Sequence, residues 1–73
     1  MEFAYEFQFW YDEDFDDAAF QACPQASPEL RDKVMVAIES LSKAMKISPG
    51  IQNMAMPVEH EGLMFKVRVS RRQ

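Results

Sequence analysis

The sequence predicts an α+β domain of two layers, in which a helical hairpin packs on one face of a three-stranded, mainly antiparallel sheet. Three patterns predict this fold class. Aromatic residues alternate with other side chains near the amino terminus, a long central segment has helical spacing, and two alternating segments follow it. The elements come in the order strand, helix, helix, strand, strand. A chain of 73 residues has room for one small domain, residues 1–73.

The first strand is predicted from alternation over residues 3–11. One set of positions carries aromatic side chains, namely Phe3, Tyr5, Phe7, Phe9 and Tyr11. Successive side chains of a strand point to opposite faces, so these aromatic residues line one buried face. Trp10 is out of pattern, because it interrupts the mainly polar set on the other face.

Two helices are predicted next. Residues 16–22 favour a short helix, since carboxylates in its first turn suit the helix dipole and Pro24 ends it. Ser27 supplies a capping hydroxyl and Pro28 suits the first position of a second helix. Its apolar residues recur at helical spacing: Leu30, Val34, Ile38, Leu41 and Met45. Residues 48–50 (SPG) then end a helix of roughly 17 or 18 residues.

The carboxyl-terminal part predicts a β-hairpin. Residues 51–58 form a weaker strand whose Pro57 indicates a sheet edge or a strand end. Residues 59–62 form a polar turn that leaves His60 solvated. The last strand presents two alternating sets, Leu63, Phe65, Val67 and Val69 on one face and Met64, Lys66, Arg68 and Ser70 on the other.

Charge is divided unevenly along the chain. Residues 1–32 carry nine acids and one base, whereas residues 33–73 carry seven bases and three acids, with a net charge of −4. This division indicates that the placement of charge, rather than a catalytic motif, determines which partner the protein binds. The pI of about 4.8 argues against nonspecific, direct binding of nucleic acid by the whole molecule.

Size and composition limit the kind of protein that this chain can be. A domain this small buries only about 60% of its unfolded surface, so its stability is expected to be marginal. One cysteine and one histidine exclude an internal disulfide and an ordinary zinc site, which favours a reducing cytoplasm. No apolar run approaches the roughly 20 residues of a membrane span, and no secretory signal is recognised.

The acidic run is the first candidate site. It consists of Asp12, Glu13, Asp14, Asp16 and Asp17. Asp12, Asp14 and Asp16 have the spacing of the first, third and fifth ligands of a calcium-binding loop. However, Asp17 stands where such a loop has its turn glycine, and Cys23 stands where it has its bidentate glutamate. No metal is therefore predicted. Two compatible interpretations stay open: a solvated, helix-capping loop, and a contact surface that imitates nucleic-acid phosphates for a basic partner. Repulsion among the carboxylates favours the second.

A basic set forms the second candidate site. It consists of Lys66, Arg68, Arg71 and Arg72. Three interpretations stay open: a solvated sheet face with a loose end, contact with nucleic-acid phosphates, and contact with an acidic protein surface such as the acidic run of a second copy.

An uncovered sheet face is the third candidate. Trp10, Met64 and either Met54 or Met56 are predicted to share the face opposite the helices, where an apolar patch would anchor a partner. Alternatively, Trp10 folds over the sheet edge as ordinary packing. Cys23 is expected to be a semi-buried apolar residue rather than a nucleophile.

Three segments resemble a known family. These are residues 7–11 (FQFWY), residues 27–34 (SPELRDKV) and residues 61–69 (EGLMFKVRV), the last being similar to a Gly-Leu-x-x-x-x-Arg-Val strand. Together with the element order they resemble the RelE, ParE and HigB superfamily of small bacterial toxins, particularly its phage-derived HigB-like branch. The resemblance covers nearly the whole chain.

The resemblance implies that two residues are possible phosphate contacts. The sequence also differs from the family in two ways. Arg68 corresponds to the family's strand arginine, and Lys66 lies on the same face. Family members continue into further strands that often carry catalytic side chains, whereas this sequence ends at Gln73, so the cleavage apparatus is expected to be absent. The family's ribosome-dependent nucleases are also strongly basic, and this chain is acidic.

The sequence contains no paired acid and base, activated nucleophile or phosphate-binding glycine loop, so no catalytic residue and no cofactor are predicted. The leading hypothesis is a small binding protein, of a phage or mobile-element type, that inhibits a larger nucleic-acid-handling protein or ribonucleoprotein. Inhibitors of CRISPR effectors are one such class. The alternatives are a shortened toxin acting on translation or gyrase, and a structural homodimer that pairs through the uncovered sheet face.

Overall fold

The computed structural model describes residues 2–72 and contains five elements in the predicted order. They are β1 (Tyr5–Trp10), α1 (Asp17–Gln21), α2 (Pro28–Ile47), β2 (Asn53–His60) and β3 (Leu63–Ser70). The α+β fold class is therefore confirmed. Neither helix within residues 2–72 combines the length and the hydropathy that crossing a membrane requires.

The sheet is mixed, with β3 between β1 and β2. β1 runs parallel to β3, with Phe7 opposite Val67. β2 runs antiparallel to β3, with Val58 opposite Phe65. One of the two pairings is thus parallel, because the chain passes through both helices and β2 between β1 and β3, which is the long crossover that parallel strands need. Pro57 lies on an edge strand, as predicted.

One face of the sheet packs against α1 and α2 and forms the core. Phe7 is at its centre, with ring centroids 5.0 Å from Tyr5, 5.6 Å from Phe20 and 6.1 Å from Phe65. The buried residues contributed by α2 are Leu30, Val34, Ala37, Leu41 and Met45. Aromatic rings bury large apolar areas and gain further from tilted or offset contact, so this cluster is the main source of stability in a small domain.

Both helices begin at side-chain caps. The Asp16 carboxylate accepts a hydrogen bond from the Ala19 backbone N–H at 3.1 Å, and the Ser27 hydroxyl accepts one from the Leu30 backbone N–H at 3.2 Å. α2 is 20 residues long, somewhat longer than predicted, and continues to Ile47.

The hairpin turn is shorter than predicted, which makes the expectation for His60 wrong. β2 extends to His60, and only Glu61 and Gly62 connect it to β3, with φ angles of 51° and 78°. This is the geometry of a two-residue hairpin turn. As the last residue of β2, His60 points to the helix side and is only 7% exposed. Its Nδ1 has no hydrogen-bond partner within residues 2–72, and its Nε2 lies 3.8 Å from the Glu61 carboxylate.

The methionines of β2 also differ from expectation. Met54 pairs with Val69 and Met56 with Val67, so both methionines lie on the helix side, packed against the core. Neither shares the uncovered face, because side chains opposite one another in a sheet point to the same face.

Candidate functional site

The acidic run forms a loop between β1 and α1, and both of its ends are fixed. Where β1 ends, the Tyr11 backbone N–H donates to the Ser70 carbonyl at 2.8 Å, and the Glu13 N–H donates to the Trp10 carbonyl at 3.2 Å. Asp12 has a φ of 63°, a left-handed conformation that aspartate tolerates better than most residues. At the other end, Asp16 is the α1 cap. Residues 12–17 are called the acidic loop below.

Two carboxylates of the acidic loop are paired with arginines of the same chain. Arg72 donates to Glu13 at 2.7 Å, and its guanidinium carbon lies 4.2 Å from the centroid of the Trp10 ring. Arg31 donates to Asp17 at 3.1 Å and lies 4.6 Å from the Phe15 ring centroid, measured from the guanidinium carbon. Arg72 of the basic set and Arg31 of α2 therefore neutralise part of the acidic loop within one molecule.

Asp12 and Asp14 remain unneutralised. Within residues 2–72, neither side chain makes an ion pair. Both are exposed, and both line a concave surface between the acidic loop and α2. The loop therefore presents negative charge beside a groove rather than on a flat surface.

This groove, called the loop–helix groove below, consists of two adjoining concavities. Both are bordered by Trp10, Glu13, Asp14, Ile38 and Glu39. The first, about 380 Å³ in volume, extends to Lys43 and Lys46 near the end of α2. The second, about 290 Å³, extends over Phe9, Phe15 and Met35.

The two concavities differ in charge. The second is bordered by three carboxylates, those of Glu13, Asp14 and Glu39, and by no lysine or arginine of the described residues 2–72. In the first, Lys43 and Lys46 offset part of the negative charge. The second concavity therefore combines an apolar, partly aromatic surface with a rim of three carboxylates, of which Glu13 is paired with Arg72.

The four basic residues of the predicted set do not converge on one groove. Arg71 donates to the carbonyls of Ile51 at 2.8 Å and Met45 at 2.6 Å, so it ties the end of β3 to the end of α2. Lys66 lies 3.5 Å from the Glu6 carboxylate. Arg68 donates to the Asn53 side chain at 2.6 Å. With Arg72 held at Glu13, each of the four cations has its own local partner or partners.

The uncovered sheet face is polar, which corrects the expected apolar patch. Cross-strand rows on this face are Glu6–Lys66–Pro57, Gln8–Arg68–Ala55 and Trp10–Ser70–Asn53. Trp10 and Met64 are half-buried, and neither belongs to the exposed large apolar residues. This face therefore does not present the exposed apolar patch that was expected to anchor a partner.

Sequence reasoning missed the α2 side of the groove. Met35 is 40% exposed, and Glu39 is exposed beside the half-buried Ile38. In the sequence, the only indication of this surface is that Met35 is an apolar residue outside the apolar stripe of α2. Nothing in the sequence indicates that the acidic loop lies against this flank of the helix.

Cys23 and His60 are the single cysteine and the single histidine of the chain. The Cys23 side chain is buried and lies 3.3 Å from the Gln25 side-chain oxygen. His60 pairs with Leu63 at the start of β3, whereas the acidic loop adjoins Ser70 at its end, so about 20 Å of strand separate the two. In the part of the chain that the structure describes, no group of three or more His, Cys, Asp or Glu residues is arranged to hold a metal ion.

No protein-family model, curated protein or solved structure matches the chain.

Proposed function

We propose that this protein is a non-enzymatic binding protein that occupies a basic, nucleic-acid-binding site on a larger protein. The observation that carries the proposal is the placement of Asp12 and Asp14. Both are exposed and without an ion pair within residues 2–72, and both lie at the border of a groove. Carboxylates held in this way complement a surface that normally receives phosphates, and charge complementarity governs both encounter rate and specificity.

The fixed ends of the acidic loop support the same proposal. A backbone hydrogen bond to Ser70 holds one end, and the Asp16 cap holds the other. A loop that is already ordered loses less conformational entropy when it binds. Anchoring the carboxylates therefore strengthens their interaction with a partner.

In this proposal, the protein inhibits its partner by occupying the partner's basic site. A partner whose basic site is filled by the acidic loop no longer binds nucleic acid there. An origin in a phage or mobile element, with a defence protein as the target, is part of the same proposal and rests on the family resemblance.

The shortened-toxin alternative receives less support. An RNA-binding surface would gather its cations around one groove, whereas Arg71 binds backbone carbonyls and Arg72 binds Glu13. The homodimer alternative needs an apolar interface, and the uncovered sheet face carries Lys66 and Arg68 instead.

The test is affinity capture from a bacterial lysate at low and raised salt, with two matched double variants. Asp12→Asn/Asp14→Asn removes two charges from the groove, and asparagine tolerates the left-handed conformation at position 12. Glu59→Gln/Glu61→Gln removes two charges at the opposite end of the sheet.

We expect the wild type and the Glu59→Gln/Glu61→Gln control to capture the same nucleic-acid-binding protein at low salt. Capture should weaken at raised salt and in the presence of added duplex DNA, because screening and phosphate competition both act on the same contact. It should be lost in the Asp12→Asn/Asp14→Asn variant. Equal capture by both double variants, or capture indifferent to DNA, would contradict the proposal.

A further inference from the structure

We propose that the second concavity of the loop–helix groove receives an arginine side chain of the protein partner. This inference rests on the proposed function and names the chemistry of the contact. The occupant follows from the apolar surface of the concavity, from the charge of its rim, and from the way this chain binds its own arginines.

The apolar surface suits the aliphatic part of an arginine. Phe9, Phe15, Met35 and Ile38 border the concavity, and Met35 is 40% exposed. Long cationic side chains lay their methylene groups along apolar surfaces and keep the charged end in water. A concavity of about 290 Å³ that opens to solvent matches that division.

The rim supplies charge of one sign. Glu13, Asp14 and Glu39 border the opening, and within residues 2–72 no lysine or arginine is part of the lining, although Arg72 pairs with Glu13 from outside it. Arg31 contacts Met35 and the Phe15 ring from outside the concavity, and its charge is paired with Asp17 at 3.1 Å. A nucleic-acid phosphate would be repelled here, and a neutral apolar side chain would leave Asp14 and Glu39, which make no ion pair within residues 2–72, without a partner. A cation bound at this rim offsets their mutual repulsion.

This chain already binds guanidinium groups with the same types of residue. Arg72 combines the Trp10 ring at 4.2 Å with the Glu13 carboxylate at 2.7 Å. Arg31 combines the Phe15 ring at 4.6 Å with Asp17. A planar guanidinium can stack on a ring and donate to a carboxylate at once, which an ammonium does less well. The ring and carboxylate composition of the concavity therefore favours arginine over lysine.

Arg72 marks the edge of the site. It binds Glu13 and Trp10, and both of these border the concavity. Its side chain is 59% exposed and that of Glu13 is 47% exposed. An ion pair with this exposure is weak, so Glu13 can exchange Arg72 for an arginine of a partner.

The experiment is an NMR titration of the full chain, which follows backbone amide shifts as a blocked tripeptide, acetyl-Gly-Arg-Gly-amide, is added. Two further tripeptides serve as matched probes, one with citrulline, a neutral isostere of arginine, and one with lysine. We expect the arginine tripeptide to shift amides around Phe15, Met35 and Glu39, and the citrulline tripeptide to leave them unchanged. The lysine tripeptide should bind more weakly.

Glu39→Gln tests the rim, and Glu59→Gln is its control. Position 39 is exposed in a helix and glutamine is a good helix former, so the fold should be preserved and the amide spectrum reports this directly. We expect Glu39→Gln to weaken binding of the arginine tripeptide roughly 1.5- to fivefold, as for a single partly exposed charge pair. Glu59→Gln, in β2, should leave it unchanged.

Several outcomes would overturn the inference: equal shifts with citrulline, equal binding of lysine, shifts away from the groove, or no effect of Glu39→Gln. These are distinct from failure of the proposed function. If the tripeptide does not bind the groove but capture still depends on Asp12 and Asp14, only the arginine site fails. If the tripeptide binds and capture does not depend on those residues, the proposed function fails.

Discussion

Replacing His60 with leucine should stabilise the protein, which is unusual for a change at a buried position. The residue is 7% exposed, and its Nδ1 has no hydrogen-bond partner in the part of the chain that the structure describes. The contact of Nε2 with Glu61, at 3.8 Å, is too long for a hydrogen bond. A buried polar atom without a partner costs about 1–3 kcal/mol, and an apolar residue of similar size removes that cost.

The expected gain follows from two opposing contributions. Relief of the unpaired nitrogen contributes about 1–3 kcal/mol, and repacking around a side chain of similar volume costs up to about 1.5 kcal/mol. We therefore expect His60→Leu to raise the free energy of unfolding by about 1 kcal/mol, or Tm by roughly 4–8 °C in a domain of this size. The total stability of such a chain is only about 4–11 kcal/mol, so the change is readily measured.

The assay is urea denaturation at one pH, followed by the fluorescence of Trp10, the single tryptophan. His60→Asn is the control, since it keeps a buried polar group in a smaller side chain and should lower stability. A loss of 1 kcal/mol or more in His60→Leu would refute the reasoning, because it would mean that the imidazole makes a stabilising polar contact.

Two further predictions concern the turns and caps, with urea denaturation as the measurement in each case. Both turn positions have positive φ, which asparagine and glycine adopt more readily than glutamate and alanine. Glu61→Asn should therefore stabilise the hairpin by about 0.5 kcal/mol, and Gly62→Ala should destabilise it by about 1 kcal/mol. The opposite signs would contradict this turn geometry. Ser27→Ala should cost about 1 kcal/mol, since the hydroxyl caps the Leu30 N–H; no loss would mean that water replaces the cap fully.

The sheet faces could be predicted from the sequence because alternation with a period of two depends only on local geometry. Phe7 and Phe9 of β1 and Val67 of β3 are buried as their positions in the pattern require. The start of α2 could also be predicted, since a hydroxyl followed by proline is a local signal, and Ser27 is the cap.

The strand order could not be predicted, because an alternating strand has the same pattern beside either neighbour. β3 lies in the centre and pairs in parallel with β1. The error at His60 has a related cause. A polar residue between Glu59 and Glu61 favours a turn, but the tight Glu61–Gly62 connection places His60 in the strand, on its buried face.

The groove could be predicted only in part. The acidic loop is evident from its composition, whereas its wall of Met35, Ile38 and Glu39 comes from a helix flank more than 20 residues further along the chain. Pairing of Arg72 with Glu13 joins opposite ends of the chain, 59 residues apart, and no local pattern specifies such a contact.

The most direct test of a binding role for the acidic loop is the affinity of the captured partner, measured by calorimetry for the wild type and for Asp12→Asn/Asp14→Asn. Two exposed charge pairs are worth about 0.2–1 kcal/mol each, so the double variant should bind roughly 2- to 30-fold more weakly at low salt. The difference should shrink as salt is raised. Equal affinities at low salt would mean that the partner is held by another surface of the molecule.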